Sequence, residues 1–328
     1  QLKAYETAVR YAEQGEEVDL SDFIPDQFSA LVAASERYMG LIDSISPHPC
    51  AYLLCTEDIR REIGVIRINS KAGKKQPVFA AFIDGATAEL YGYLKNDMLL
   101  VDVVRTNQEA FERIGMKQPD VRELLDMTRD DTDTWRMYAE GYTMGLNQVE
   151  QEKTREKVMR YKPKNITELA AFVAAVRPAF KSMLPIFLDR RHFDYGIPAF
   201  DKLIQTREMT SSFLLYQEQT MKTLQFAGFS APESYSAIKA IAKKHPEKVL
   251  PLKTRFLEGF AAKADMPSAE KVWQIIEDAT SYGFNSSHAV CVALDSLYGA
   301  WLKAHHPLEY YTTLLSGYAD KGDKDRIS

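Results

Sequence analysis

From residue 99 to residue 305 the chain repeats one pattern, in which apolar residues recur at intervals of three and four. This spacing puts them on one face of an α-helix, the face that a folded chain buries. Prolines separate the stretches, and proline interrupts a helix because it lacks the N–H that the helix interior needs. The stretches with helical spacing are 101–114, 121–127, 132–140, 152–161, 166–176, 214–227, 231–244, 252–264, 268–281 and 287–305. Most of the chain is therefore predicted to be helical.

The preceding segment has shorter apolar runs, separated by polar turns such as Asp84-Gly85. Runs of this length, rich in β-branched and aromatic residues, predict a small sheet. The runs lie at 51–55, 62–68, 78–83 and 90–97.

Together these patterns predict an α+β fold, with a small mixed β-sheet followed by a large, mostly α-helical domain. We expect a helical segment at 1–47, a β-rich portion at 48–110 and a helical domain at 111–328. The first of these ends at Ser46-Pro47-His48-Pro49, because a residue before proline avoids the helical conformation.

The charge is distributed unevenly, although the formal net charge of the 328 residues is only −5. Residues 1–50 hold three basic and nine acidic residues, a net of −6. Residues 153–191 hold ten basic and three acidic residues, a net of +7, and residues 236–263 hold seven and two, a net of +5. Such local positive charge is expected of a protein that binds a phosphate backbone. Ordinary solvated helix faces are an equally good interpretation.

The three cysteines are too few for a disulfide framework and fit a reducing cytoplasm. Cys50 and Cys55 lie near His48, but a structural zinc site needs about four ligands in a paired spacing, and no second Cys/His pair is present. A zinc site is therefore not expected. The sequence contains no signal peptide and no apolar run long enough to cross a membrane.

A helix start with strong capping residues precedes the last long apolar run. Asn285, Ser286 and Ser287 are favoured N-cap residues, which places His288 in the first helical turn. The backbone N–H groups and the dipole of a helix N-terminus favour anions such as phosphate. An ordinary capped helix with an exposed histidine gives the same sequence, so both interpretations stay open.

Several strings resemble motifs of one family. Tyr-Gly-Phe-Asn-Ser-Ser-His-Ala at 282–289 resembles Tyr-Gly-Phe-Asn-Lys-Ser-His-Ala of the bacterial replicative DNA polymerase III alpha subunit, a C-family DNA polymerase. Leu-Tyr-Gln-Glu-Gln-Thr-Met at 215–221 resembles its Tyr-Gln-Glu-Gln-Val-Met, and Lys-Ala-Ile-Ala-Lys-Lys at 239–244 resembles its Arg-Ala-Met-Gly-Lys-Lys. The similarity continues through Trp-Leu-Lys-Ala-His-His-Pro-Leu-Glu at 301–309. It implies the end of a thumb, the second half of a palm and the fingers of a polymerase.

The chain also departs from the family motifs. Ser286 stands where the family usually has lysine, and Ala179-Phe180 follows Arg177-Pro178 where the family has Gly-Pro. These departures suggest a divergent member, such as a phage-encoded one.

The resemblance implies two sets of binding residues. The nucleotide-binding residues are Arg177, Lys239, Lys243, Lys244, Asn285, Ser287 and His288. The DNA-binding residues are Lys162, Arg190, Arg191, Tyr216 and Gln217. The guanidinium of an arginine suits phosphate because it donates two parallel hydrogen bonds. Alternatively, Arg177 compensates the dipole at a helix end, and the helix after Tyr216 serves only packing.

Leu-Lys-Asn-Asp-Met-Leu at 94–99 resembles the family's Leu-Lys-X-Asp-Phe-Leu, whose aspartate is the third metal-binding carboxylate of the palm. The resemblance implies that Asp97 is catalytic and binds Mg²⁺, two ions of which assist nucleotidyl transfer. The family's paired aspartates, in Pro-Asp-X-Asp, are not found in these 328 residues. We therefore expect an inactive fragment that is completed by aspartates outside this chain.

The partners that the resemblance implies are primer–template DNA, a dNTP, the rest of the polymerase polypeptide, and a sliding clamp and replisome proteins bound through regions outside this chain. No membrane partner is expected, and the expected location is the cytoplasm of a bacterial or phage-infected cell. A non-catalytic nucleic-acid-binding or scaffold protein with the same fold is the alternative, and a helical protein-interaction module is a third possibility.

Overall fold

A computed structural model describes most of the chain beyond its N-terminal segment. The described residues are 34, 36–38, 41, 45, 47–48, 50–68, 78–98, 101–177, 180–242, 246–280 and 283–322. The helical segment predicted at 1–47 lies almost entirely outside them. The chain divides into two compact units, residues 1–100 and 101–328. From the sequence we predicted a boundary after residue 110, at the end of the β-rich portion.

The first unit contains two antiparallel strand pairs. Its strands are β1 (Ala51–Leu54), β2 (Val65–Ile68), β3 (Val78–Ala81) and β4 (Leu94–Asp97). Strand β1 pairs with β4, with Ala51 opposite Asp97, and β2 pairs with β3. The four strands lie within the predicted runs, which confirms the α+β class.

Two short helices in this unit, α1 (Ile59–Glu62) and α2 (Gly85–Leu90), were not predicted. Asp84 was expected to form a turn, but its carboxylate accepts a hydrogen bond from the Thr87 amide at 2.8 Å and caps α2. An aspartate at this position satisfies a helix N–H that otherwise has no partner, so the same residue that favours turns also starts helices.

In the second unit the described secondary-structure elements are all helices, apart from one isolated bridge. Its helices are α3 (Asp102–Arg113), α4 (Val121–Thr128), α5 (Thr132–Ala139), α6 (Glu152–Tyr161), α7 (Ile166–Ala175), α8 (Leu184–Leu188), α9 (Pro198–Ile204), α10 (Gln217–Phe226), α11 (Ala231–Ala242), α12 (Pro246–Ala261), α13 (Met266–Thr280), α14 (Ser286–His305) and α15 (Pro307–Lys321). No described helix combines the length and the apolar character that crossing a bilayer requires.

Two hydrophobic cores lie within this unit. The first surrounds α7, whose residues from Leu169 to Ala175 are all buried, and includes Phe111, Tyr138 and Tyr310. A helix that is apolar on every side must be buried on every side, and α14 packs along α7 to achieve this. The second core is built by α9 to α13, with Trp273 fully buried in it.

An extended segment, Phe213 to Tyr216, joins the two cores. Side chains alternate along an extended chain, and here Phe213 and Leu215 pack into the first core while Leu214 packs into the second. The sequence predicted a helix from residue 214, and this was wrong for its first three residues, since α10 begins only at Gln217. The amide groups that hold the segment are described below.

Prolines start helices here as well as ending them. Helices α9, α12 and α15 begin at Pro198, Pro246 and Pro307, where the missing N–H has no helical acceptor in any case. Because the sequence analysis interpreted every proline as a helix end, it did not predict α9 and α15. It also placed the start of α12 too late, because this helix continues through Pro251.

A close helix contact in the second core predicts an effect on stability. A Cβ at Gly259 in α12 would lie 1.9 Å from the carbonyl oxygen of Ala227, the residue that ends α10. Gly259→Ala should lower the free energy of unfolding by roughly 1–3 kcal/mol, as overpacking does. Urea denaturation measures this.

Gly317→Ala in α15 is the matched control. A Cβ at Gly317 would make an ordinary contact, 3.6 Å from Nη2 of Arg105 in α3. The substitution should be neutral or stabilising by about 0.5–1 kcal/mol, since alanine favours helix. Equal effects of the two substitutions would contradict the packing described.

Candidate nucleotide and nucleic-acid site

The side chain of Gln219 holds the extended segment between the cores. Its Oε1 accepts hydrogen bonds from the amides of Leu215 and Tyr216, both at 2.8 Å. Its Nε2 donates to the carbonyls of Ile204 and Phe213, at 2.8 and 3.1 Å. Gln219 is buried, and in this way its amide satisfies backbone groups that a helix would have paired.

The start of α10 contacts the segment before α14. Gln217 donates from its amide to the Phe284 carbonyl at 3.0 Å and from Nε2 to the Gly283 carbonyl at 2.9 Å. Tyr216 and Phe284 form an isolated parallel bridge. A Cβ at Gly283 would lie 3.0 Å from Gln217 Cγ, so glycine permits this close approach. Two motifs that are 66 residues apart in sequence are thus joined through their backbones.

The N-terminus of α14 already binds a carboxylate. Glu218 accepts a hydrogen bond from the Ser286 amide, with its two oxygens at 3.0 and 3.2 Å from the nitrogen. Asn285 is the N-cap, and its Oδ1 accepts from the His288 amide at 3.0 Å and from Ser287 Oγ at 2.8 Å. A phosphate brought to this helix end would meet the negative charge of Glu218. Cationic side chains nearby are therefore better placed than these amides to bind an anion.

Arg177 is such a cation. It follows α7, and its guanidinium lies over the Phe284 ring, 4.2 Å from the ring centroid. The His288 ring packs against the same phenyl ring, with 5.1 Å between centroids. Arg177 Nε is buried and has no hydrogen-bond partner, and no carboxylate pairs with Arg177 among the described residues.

A cavity of about 180 Å³ opens beside Arg177. It is lined by Arg177, by Phe180 of the first core, by Tyr216 of the extended segment and by Asp278 of α13. Burial raises the pKa of Tyr216 to about 12, and the negative charge of Glu218 adds to this effect. The phenol is therefore neutral at physiological pH, and Tyr216 forms part of the cavity wall. Arg177, Tyr216, Gln217, Asn285, Ser287 and His288 are the predicted site residues that the structure brings together.

Comparison with known proteins gives matches to one bacterial family. Residues 102–264 match the profile of the bacterial DNA polymerase III alpha subunit finger domain. Curated DNA polymerase III alpha subunits match most of the chain. The chain belongs to this family. The subunit from Campylobacter jejuni is 28% identical over 93% of this chain, which is 28% of that protein. The Aquifex aeolicus subunit is 30% identical over 74% of this chain and 21% of that protein, and the Thermotoga maritima subunit is 32% identical over 66% and 25%.

The chain thus spans about a quarter of the length of these DNA polymerase III alpha subunits.

Other predicted residues of the finger-domain region lie in different surroundings. Arg190 is bound within the protein, donating to Glu168 at 2.6 Å and to the carbonyls of Tyr161 and Lys162 at 2.9 and 2.8 Å. The Glu168 hydrogen bond raises the pKa of Arg190. Arg191 and the side chain of Lys162 are exposed.

Lys239 is exposed on α11, with its Nζ 4.7 Å from the Tyr235 ring centroid. Lys243 and Lys244 lie outside the described residues.

Asp97 belongs to the first unit, at the end of β4. Lys95 Nζ donates to both of its carboxylate oxygens, at 2.8 and 2.9 Å, and this bond is the main reason why its pKa is lowered. The nearest further ligand groups are His48 and Cys50. Mg²⁺ prefers oxygen ligands, and this cluster offers one carboxylate beside a nitrogen and a sulfur. The described residues around Asp97 do not by themselves fit Mg²⁺.

Glu218 and Phe284 were not predicted as site residues, although each lies inside a motif noted in the sequence. The signal that would have found them is the pairing of the two motifs. Neither string alone reveals that Glu218 reaches the Ser286 amide.

The Glu218 contact predicts an effect on stability. Glu218→Gln keeps the hydrogen-bond acceptor and removes the charge at the α14 N-terminus, so the free energy of unfolding should fall by about 0.3–1 kcal/mol. Glu156→Gln, at an exposed position within α6, is the control and should change it by less than about 0.5 kcal/mol. Chemical denaturation at low salt gives both values, and an unchanged Glu218→Gln stability would contradict the capping role.

Proposed function

We propose that this chain is part of a template-directed DNA polymerase, in which Arg177 and His288 face the triphosphate of the incoming dNTP. The polymerase would transfer a nucleotidyl group from the dNTP to the 3′-OH of a primer. The observation that carries this proposal is the half-buried guanidinium of Arg177, which lies beside a cavity and pairs with no carboxylate among the described residues.

The chemistry of the reaction requires such a group. Negative charge accumulates on the leaving pyrophosphate, and positive side chains stabilise it. A guanidinium donates two parallel hydrogen bonds to phosphate oxygens, and it remains charged at any physiological pH. Stacking on Phe284 restricts its orientation, so less side-chain freedom is lost when the nucleotide binds. His288 contacts the same Phe284 ring, and its imidazole would supply a second hydrogen-bond donor.

The remaining nucleotide-binding predictions extend the proposal to α11 and the segment after it. Lys239 lies on the exposed surface, and a flexible lysine there can reach a bound triphosphate only if the nucleotide extends toward α11. Lys243 and Lys244 are proposed for the same role from the sequence alone.

For the DNA, the exposed side chains of Lys162 and Arg191 are suited to contact phosphates. Arg190 would have to give up its bonds to Glu168 to do so, and this makes a positioning role for it the simpler proposal. Tyr216 offers a neutral ring for stacking on a base or sugar. Gln217 is used to join α10 to residue 283, so we propose that it shapes the site.

Mg²⁺ is the cofactor that the family resemblance implies, and it would neutralise charge on the triphosphate. We propose Asp97 as one carboxylate ligand, with the others supplied by aspartates outside this chain. The replisome, the sliding clamp and a cytoplasmic location are likewise proposals that concern the whole polymerase.

A second candidate function is a non-catalytic nucleic-acid-binding or scaffold protein of the same fold. A complete gene product that lacks a Pro-Asp-X-Asp pair would favour it, because two-metal catalysis needs both metals held. Primer extension by the complete gene product separates the two candidates, with Asp97→Ala as the inactive reference.

Arg177→Ala should raise the apparent KM for dNTP roughly 10- to 100-fold, because a hydrogen bond to a charged group contributes about 1.5–3 kcal/mol. His288→Ala should raise it less. The measurement is steady-state primer extension by the complete gene product with Mg²⁺.

Arg136→Ala is the matched control, since the Arg136 guanidinium forms surface ion pairs with Asp133 and Glu140 on α5. It should leave KM unchanged. A wild-type KM in Arg177→Ala would remove Arg177 from the nucleotide site. A gene product that never extends primers, at any dNTP concentration, would favour the second candidate.

A further inference from the structure

Three potential metal ligands meet at one end of the β1–β4 ladder. Strand pairing places Ala51 opposite Asp97, and the Met98 amide donates to the Cys50 carbonyl at 2.8 Å. These bonds fix Cys50 beside Asp97. His48 reaches the same point, where its Nδ1 accepts a hydrogen bond from the Cys50 amide at 3.3 Å, a bond that a metal ion on Nδ1 would replace.

The distances between ligand atoms suit a single small cation. His48 Nδ1 lies 3.7 Å from Cys50 Sγ and 3.9 Å from Asp97 Oδ1, and all three ligand atoms lie within 4.8 Å of one another. Tetrahedral zinc, with bonds of about 2.0–2.3 Å, holds its ligand atoms about 3.4–3.6 Å apart. Small side-chain rotations at this exposed strand end would close the difference.

The donor set determines which cation fits. One imidazole nitrogen, one thiolate and one carboxylate suit Zn²⁺ and similar ions, whereas Mg²⁺ prefers oxygen alone. The bond from Lys95 does not exclude a metal, because a carboxylate has about four lone-pair positions and accepts more than one partner. Lys95 would instead orient the Asp97 ligand, as groups behind metal ligands commonly do.

We propose that His48, Cys50 and Asp97 bind a thiophilic divalent cation such as Zn²⁺, with water in the fourth position. The sequence does not suggest this site, because Asp97 comes from a strand far along the chain and Cys55, the nearer candidate, takes no part in the cluster. Asp97 is also the carboxylate proposed above for Mg²⁺, so a thiophilic cation here would compete with Mg²⁺. That consequence alone rests on the proposed function.

Cobalt is the probe, because Co²⁺ bound to a thiolate gives an intense near-ultraviolet charge-transfer band. Titration of the full chain with Co²⁺, with a non-thiol reductant present, should give this band at one cobalt per chain. Excess Zn²⁺ should then abolish it. Cys50→Ser should remove the band, and His48→Ala and Asp97→Asn should each weaken Co²⁺ binding about tenfold or more.

Cys55→Ser and Cys291→Ser are matched controls, because both cysteines are exposed and lie outside the cluster. Both should retain the band. Absence of the band in the wild type, its persistence in Cys50→Ser, or its loss in Cys55→Ser would overturn the proposal. If Cys50→Ser does not fold, the Co²⁺ affinities of His48→Ala and Asp97→Asn still test the proposal, and unchanged affinities would overturn it. The readout does not depend on polymerase activity, so it fails or succeeds separately from the proposed function.

Discussion

The backbone pairing between Tyr216 and Phe284 is the contact on which the proposed site depends. Two hydrophobic cores meet along the extended segment that ends at Tyr216, and Gln219 holds this segment with four hydrogen bonds to backbone groups. Because the segment is anchored in both cores, the start of α10 has a defined position. The Phe284 ring is therefore held where Arg177 and His288 can pack on it.

The same constraint explains the electrostatics of the site. Glu218 occupies the N-terminus of α14, where the capping sequence was compatible with either a bound phosphate or an ordinary capped helix. The partial positive charge of that helix N-terminus is thus already compensated by Glu218. Arg177 is a half-buried cation with no carboxylate partner among the described residues, and a bound anion would supply that partner.

Local patterns in the sequence predicted the helices well and their connections poorly. Helix α6 begins and ends at Glu152 and Tyr161, as the spacing of its apolar residues predicted. The first residues of the helix predicted from 214 are extended instead, because Gln219 and the two cores compete with local helix formation. Helix α15 was missed since Pro307, taken as a break, is its first residue. The spacing of apolar residues within one stretch shows neither the contacts with the two cores nor the role of a proline at a helix start.

In the candidate site, too, the sequence indicated individual residues but not the contacts between elements. Motif resemblance identified Arg177, Tyr216 and His288. In the structure Arg177 and His288 contact the Phe284 ring, and Arg177 and Tyr216 line one cavity. The resemblance did not indicate that Arg190 pairs with Glu168 or that His48 and Cys50 lie beside Asp97, because these contacts join residues from separate elements. Residue type and spacing can name the chemistry of a side chain, but only the fold determines which partners it has already bound.

The central claim is that the surroundings of Arg177, Phe284 and His288 bind the triphosphate of a dNTP. The most direct measurement is photo-crosslinking in the complete gene product bound to primed DNA, using a dNTP with an azidoanilide on its γ-phosphate, followed by mass spectrometry of the labelled peptides. The account predicts label in peptides that contain Arg177, Tyr216 or His288, and less label when unmodified dNTP is added. Competed label found only outside these peptides would contradict it.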